Sequence, residues 1–151
     1  MANPFPFVAG NVLTAAEMNG IGETTAYTPT FTNITVGNGT VSFKYVRIQK
    51  LVFVKGTLIF GSTTSITGSP SMTLPVTAVT YPGGTPTGQI RVVKPGFAYF
   101  GFTQPTSTTE LAIRMYAVSG TLIQVGAINA TSPFTWATSD EMNIQFVYEA
   151  A

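Results

Sequence analysis

From Phe31 onward the chain is a succession of short β-prone runs separated by turn residues, with nothing helical after Gly22. That pattern confines it to an antiparallel all-β fold. The clearest run is Thr40-Val-Ser-Phe-Lys-Tyr-Val-Arg-Ile48, where Val41, Phe43 and Tyr45 alternate with Ser42 and Lys44. Successive strand residues point to opposite faces, so one face of this run is buried. Residues 31–36 precede it across Gly37-Asn38-Gly39, and Asn-Gly tolerates the positive φ of a tight turn, which predicts a hairpin between the two runs. Residues 51–60 follow across Gln49-Lys50 as a second hairpin, and their near-continuous apolar character predicts burial on both faces. Further strands are expected at 71–74, 89–93, 97–102, 110–118, 120–126 and 143–148. Turns are expected at Gly68-Ser-Pro70, Pro82-Gly-Gly84, Pro95-Gly96 and Gln104-Pro105.

Eight or so short strands with Gly-, Pro-, Ser- and Thr-rich loops predict a jelly-roll-like antiparallel β-sandwich over residues 27–151. No repeat of fixed period is visible, which argues against a propeller or β-helix. Residues 1–26 read differently, as an N-terminal arm with a short helix. Thr14-Ala-Ala-Glu17 fits a capping box, Leu13 and Met18 stand where a hydrophobic staple would place them, and Gly20 or Gly22 supplies a left-handed stop. A helix of one to two turns is not stable alone in water, so it must lean on something. Ahead of it, the prolines of Pro4-Phe5-Pro6-Phe7 forbid helix and leave two aromatics on an extended segment. Phe5, Phe7, Leu13 and Met18 are therefore read as an arm that docks on a neighbouring molecule. The competing reading folds the arm back to cover a sheet edge of its own domain.

Composition removes several kinds of chemistry. The 151 residues include no cysteine and no histidine, which excludes disulfides, thiolate or imidazole metal ligands, and a histidine base for a serine nucleophile. Only 9% of the residues are charged and the net charge is +1, so solubility rests on Thr, Ser, Asn and Gln. Such a surface suits packing against protein neighbours or sugars, because covering it desolvates few ions. The charges are segregated along the chain: Lys44, Arg47, Lys50, Lys55, Arg91 and Lys94 fall between Thr24 and Thr109, a stretch without acids. Folding the strands together is expected to mix these cations with the acids outside the stretch, so no basic face and no nucleic-acid partner are predicted. Glu110, Asp140 and Glu141 are the carboxylates available for glycoside hydrolysis, but Asp140 and Glu141 are neighbours that point apart on an extended backbone. They are read as a solvated turn, not as a catalytic pair or a metal site. No P-loop or other cofactor motif is present, and no apolar run approaches the length of a membrane span. The opening Met1-Ala-Asn-Pro-Phe-Pro-Phe lacks the positive n-region and the unbroken apolar h-region of a secretory signal.

Among the aromatics, Phe43, Phe53, Phe60, Phe97 and Phe100 are assigned to the core by alternation. Tyr81, Tyr99, Phe102, Tyr116 and Trp136 are the ones with stacking faces to offer a sugar, Tyr81 and Trp136 first among them because they sit on loops.

Three segments carry a resemblance: Gly10-Asn-Val-Leu-Thr-Ala-Ala-Glu-Met-Asn19, the paired strands from Tyr27 to Gly61, and the ending from Pro133-Phe-Thr-Trp136 through Tyr148-Glu149. Together they are similar to the small all-β surface domains of bacteriophage virions found in minor tail proteins, fibres and capsid fibres. The resemblance implies a non-enzymatic virion surface protein assembled in the host cytoplasm, a homotrimer attached by its arm to capsid or tail proteins, with host surface carbohydrate as a further partner. Capsid decoration and a polysaccharide-degrading tail enzyme are the alternatives. No catalytic residue is implied, and residues 76–109 match no part of the pattern.

Overall fold

The computed structural model describes residues 10, 12, 14, 15, 20–82 and 85–151. The arm residues Phe5, Phe7, Leu13 and Met18, and most of the expected helix, lie outside them, as does the expected Gly83-Gly84 turn. Ten strands follow: β1 (Thr25–Tyr27), β2 (Phe31–Thr35), β3 (Thr40–Ile48), β4 (Leu51–Ile59), β5 (Ser65–Thr73), β6 (Gly88–Lys94), β7 (Phe97–Pro105), β8 (Glu110–Ser119), β9 (Leu122–Gly126) and β10 (Glu141–Glu149). Every pairing is antiparallel, and the strands follow one hydrogen-bonded path, β1-β3-β4-β10-β6-β7-β8-β5-β2, with β9 added to the far half of β8. The sheet curls around its apolar side, making the all-β sandwich that the strand pattern predicts.

The curl begins in one long hairpin. β3 and β4 pair along their full length across the two-residue turn Gln49-Lys50, with Gln49 at φ 53°. β2 pairs with β5, not with β3. The register of the β3–β4 ladder ends at Thr40 opposite Ile59, and that of β2–β5 resumes at Thr35 opposite Ser65. Each arm of the hairpin is thus bent over between its two strands, which is how a jelly roll is made from a single antiparallel ribbon.

The bend corrects the expected β2–β3 hairpin. Gly37-Asn38-Gly39 does turn the chain, with Gly37 at φ 57° and the Gly39 amide donating to the Val36 carbonyl (2.9 Å). The turn is held by its neighbour instead of by the flanking strands. Thr63 Oγ1 accepts from the Asn38 amide (2.9 Å), and Asn38 Oδ1 accepts from the Thr63 amide (2.9 Å). A Cβ on Gly37 or Gly39 would fall within 2.6 Å of Thr63 or Thr64 atoms, so glycine is required where the two bends cross. The Asn-Gly pair signals a turn faithfully but cannot say which strand the turn delivers.

The core is built by strict alternation: Val52, Val54 and Leu58 of β4, Ile90 and Val92 of β6, and Met142, Ile144, Phe146 and Tyr148 of β10 are all buried. β10 lies between β4 and β6, so the C-terminal strand forms the middle of this layer. Leu111, Ile113 and Met115 of β8 and Ile66 and Met72 of β5 close the core from the other layer.

Several expectations are corrected. Residues 51–60 are buried on one face only, because Leu51, Phe53 and Ile59 point outward and remain exposed, Phe53 opposite Val147 of β10. Phe53, Phe97 and Phe100 are accordingly not core, whereas Phe43 and Phe60 are, and Phe102 is buried on the opposite side of the sheet from the core cluster. Gly68-Ser-Pro70 does not end a strand: β5 runs through it as a wide β-bulge, residues 67–70 standing against the single Asn33 (φ 61°) of β2. The bulge relieves Pro70 of a ladder hydrogen bond, and Asn33 Nδ2 donates to the Ser69 carbonyl (2.8 Å). Gln104-Pro105 likewise lies inside β7 at its end, and β1 is an additional strand ahead of Tyr27.

Candidate ligand-binding groove

On the face of the sheet away from the core, the outward residues of five adjacent strands form cross-strand rows. One row runs Lys44 (β3), Lys55 (β4), Gln145 (β10), Gln89 (β6), and the next runs Ser42, Thr57, Asn143, Arg91, Phe100 (β7). The side chains of these rows border a groove of roughly 540 Å³. That is within the usual size range of ligand sites, roughly 300–1,000 Å³.

The groove contains three cations, five uncharged hydrogen-bonding side chains and one aromatic wall. Lys44 stands directly opposite Lys55 in the β3–β4 ladder. Like charges so placed destabilise a sheet. Arg91 is two strands away from Lys55 and two residues further along, about 12 Å at the normal strand spacing and rise, and all three positive groups line the one groove. None of them has an ion-pair or hydrogen-bond partner among the described residues. By contrast, Arg47 donates to the Gln49 carbonyl (2.8 Å), while Lys94 donates to the Thr135 carbonyl (3.0 Å) and lies 5.1 Å from the centre of the Phe134 ring. The cations with structural tasks are thus outside the groove, and those inside it have none.

Asn143 is held in a fixed orientation. Its carboxamide oxygen accepts from the Thr57 hydroxyl (2.7 Å) and its nitrogen donates to Glu141 Oε2 (3.3 Å). This places one carboxylate on the rim, against three cations within. Phe100 closes the other end with a ring that is 60% exposed. Such an arrangement can bind an anion carrying hydroxyl groups. It shows no nucleophile paired with a base, and no cluster of three potential metal ligands occurs among the described residues.

Asp140 is buried, a correction to the solvated turn expected there. Its Oδ2 accepts from the Ala137 amide (2.7 Å), and its carbonyl accepts from the Phe60 amide (2.9 Å). It braces the turn that feeds β10.

The loop aromatics Tyr81 and Trp136 lie outside the groove. The Tyr81 hydroxyl accepts from the Glu149 amide (2.6 Å). Trp136 stacks on Phe60 at 4.5 Å between ring centres, and its Nε1 donates to the Asn129 carbonyl (2.9 Å). Both side chains are half-buried against the core.

The groove residues carried one legible signal, the acid-free stretch from Thr24 to Thr109. Mixing does occur on the rim at Glu141, but β3, β4 and β6 all come from that stretch and contribute Lys44, Lys55 and Arg91 to a single face.

Searches against known protein families, characterised proteins and solved structures return no match, so the reading of this site rests on its own geometry.

Proposed function

We propose that the protein is a non-enzymatic structural and binding protein, a short homotrimeric appendage of the tail or fibre type on a virion surface, anchored by its N-terminal arm. The observation that carries the assembly is the β8–β9 ribbon. β9 pairs with β8 alone, leaving one edge open, and Ile123 on it is 75% exposed. Val118 and Tyr116 of β8 stand opposite Ile123 and Val125 and extend the same apolar surface. An open apolar edge of this kind is an aggregation hazard unless a partner covers it. A closed ring of three copies covers it with one repeated contact. The virion setting is supported by the resemblance of the arm, the paired strands and the ending to phage surface domains.

Light scattering on the full chain tests the assembly. The expected mass is about 48 kDa, three times the 16.0 kDa chain, and replacing Val118 and Ile123 together by Asp should reduce it to that of one chain. A monomer at micromolar concentration in the unmodified protein refutes the trimer. Deleting residues 1–22 should leave the sheet folded, since its first strand begins at Thr25, and should abolish incorporation into particles. Full incorporation of the truncated chain refutes anchoring by the arm.

A further inference from the structure

We infer that the groove between Lys44 and Phe100 is a binding site for an anionic saccharide, one whose sugar units carry carboxylate or sulfate groups. It deepens the binding role proposed above by naming a site and a ligand class, and it does not depend on the trimer or the virion.

The chemistry of the walls selects the ligand. A fold with few charges places three cations around one space without a structural partner for any of them, and sets two of them side by side where they repel. An anion between the two ammonium groups removes that repulsion. The Arg91 guanidinium, a planar fork, matches the paired oxygens of a carboxylate or sulfate. A small inorganic anion would use only these groups. The remaining walls, however, offer the hydroxyls of Ser42 and Thr57 and the carboxamides of Gln89, Asn143 and Gln145, which both donate and accept, as sugar hydroxyls require. The oriented Asn143, fixed by Thr57 and Glu141, is ready-made for one such hydroxyl. Phe100 presents an exposed apolar ring at the end of the row, suited to the C–H face of a pyranose.

A polynucleotide is the other polyanion to weigh. Single-stranded nucleic acid is held by successive aromatic platforms along a continuous basic track. The groove has one aromatic and a carboxylate on its rim, and the cross-strand rows put uncharged amides between Lys55 and Arg91. Those features favour the saccharide.

Isothermal titration of the full chain with four probes decides the matter: short oligogalacturonates, a short sulfated heparin oligosaccharide, a neutral maltooligosaccharide of equal length, and oligodeoxythymidine. The expected result is binding of the galacturonate or the heparin fragment, with affinity falling as salt rises, and at least tenfold weaker binding of the neutral sugar and of the oligonucleotide. Whichever of the two acidic probes binds better identifies the anionic group. Arg91→Gln and Phe100→Ala alter exposed side chains. Each should weaken the acidic sugar at least tenfold, while circular dichroism and melting temperature remain those of the unmodified protein. Arg91→Gln should also leave the mass by light scattering unchanged, and the Val118/Ile123 double variant should still bind the sugar, so loss of the trimer and loss of the site are read separately. Equal affinity for the neutral sugar, tighter binding of oligodeoxythymidine, undiminished binding by both single variants, or no heat with any probe at millimolar concentration would each overturn the inference.

Discussion

The two faces of the β3-β4-β10-β6 layer are made by the same backbone, one residue out of phase, yet they follow different rules. On the inner face Val54, Ile90, Ile144 and Phe146 interlock, and the positions are apolar, aromatic or glycine except at two strand ends, where Arg47 and Lys94 donate to the Gln49 and Thr135 carbonyls. On the outer face the alternate residues of the same strands are Lys55, Gln89, Arg91, Asn143 and Gln145, with apolar side chains toward the strand ends, among them Ile48, Leu51, Phe53, Ile59 and Val147. Since the inner face alone supplies the burial that closes the fold, the outer face is free to hold an arrangement that lowers stability, such as Lys44 opposite Lys55. Substitutions that leave the backbone intact should therefore act on stability from one face and on binding from the other.

The largest expected effect tests that division. Phe146, 1% exposed in the middle strand, should cost about 3–5 kcal/mol when replaced by Ala. Phe100→Ala on the outer face should remain within about 0.5 kcal/mol of the unmodified protein. Urea unfolding of the two variants gives both numbers, and a cost above 2 kcal/mol for Phe100→Ala would show that the outer face shares in holding the fold.

A second effect lies where the faces meet. Gly56 is in the floor of the groove, and a Cβ there would lie 2.2 Å from Cγ of the buried Phe43 ring. Gly56→Ala should cost about 1–3 kcal/mol by overpacking, measured by the same unfolding, and a neutral result would mean that the Phe43 ring moves without penalty.

The inner face also responds to alkali. The Tyr148 hydroxyl donates to the Val76 carbonyl (2.8 Å) and accepts from the Val76 amide (3.1 Å), and burial pushes its pKa up to about 12. Tyr27, whose hydroxyl donates to the Thr73 carbonyl, is raised further, chiefly by burial. The folded protein therefore holds these protons more tightly than the unfolded chain does. The stability they provide is complete below about pH 10 and declines as pH rises toward 12. Tyr148→Phe should lower stability at neutral pH and flatten the alkaline decline. A slope in the variant as steep as in the unmodified protein would assign the decline to other groups.

Strand positions were legible because period-2 alternation and turn chemistry are local, as in Thr40–Ile48 and the Gln49-Lys50 turn. Phase and partner were not. In Phe97-Ala-Tyr-Phe-Gly-Phe102 both phases carry aromatics, so alternation alone cannot tell which face is buried. The decision comes from Gly101, whose missing Cβ would lie 2.0 Å from the Arg114 carbonyl oxygen of the next strand. That contact forms only when β7 meets β8, and it leaves Phe100 outward. For the groove, the acid-free stretch was visible, but its meaning depended on β10 entering between β4 and β6 with Asn143 and Gln145 instead of carboxylates at its centre. Tyr81 and Trp136 were placed on loops correctly, but their hydrogen bonds to Glu149 and Asn129 are long-range in the first case and irregular in the second, and neither follows from a periodic rule.

The smallest expected effect has the opposite sign from the others. Lys44→Thr removes one of two like charges facing each other across β3 and β4 and places a β-branched residue on a strand, so it should stabilise the fold by about 0.2–1 kcal/mol at low salt. Added salt screens the Lys44–Lys55 repulsion, so the gain should shrink as ionic strength rises toward 1 M, where the Debye length is about 3 Å. The same substitution should weaken the acidic saccharide, because it removes one of the three cations that converge on the groove. A variant that is more stable and binds less well would mean that the outer face retains this repulsion for its ligand. Lower stability at every salt concentration would instead mean that the Lys44 side chain supports the sheet, and that the two faces are less independent than their alternation implies.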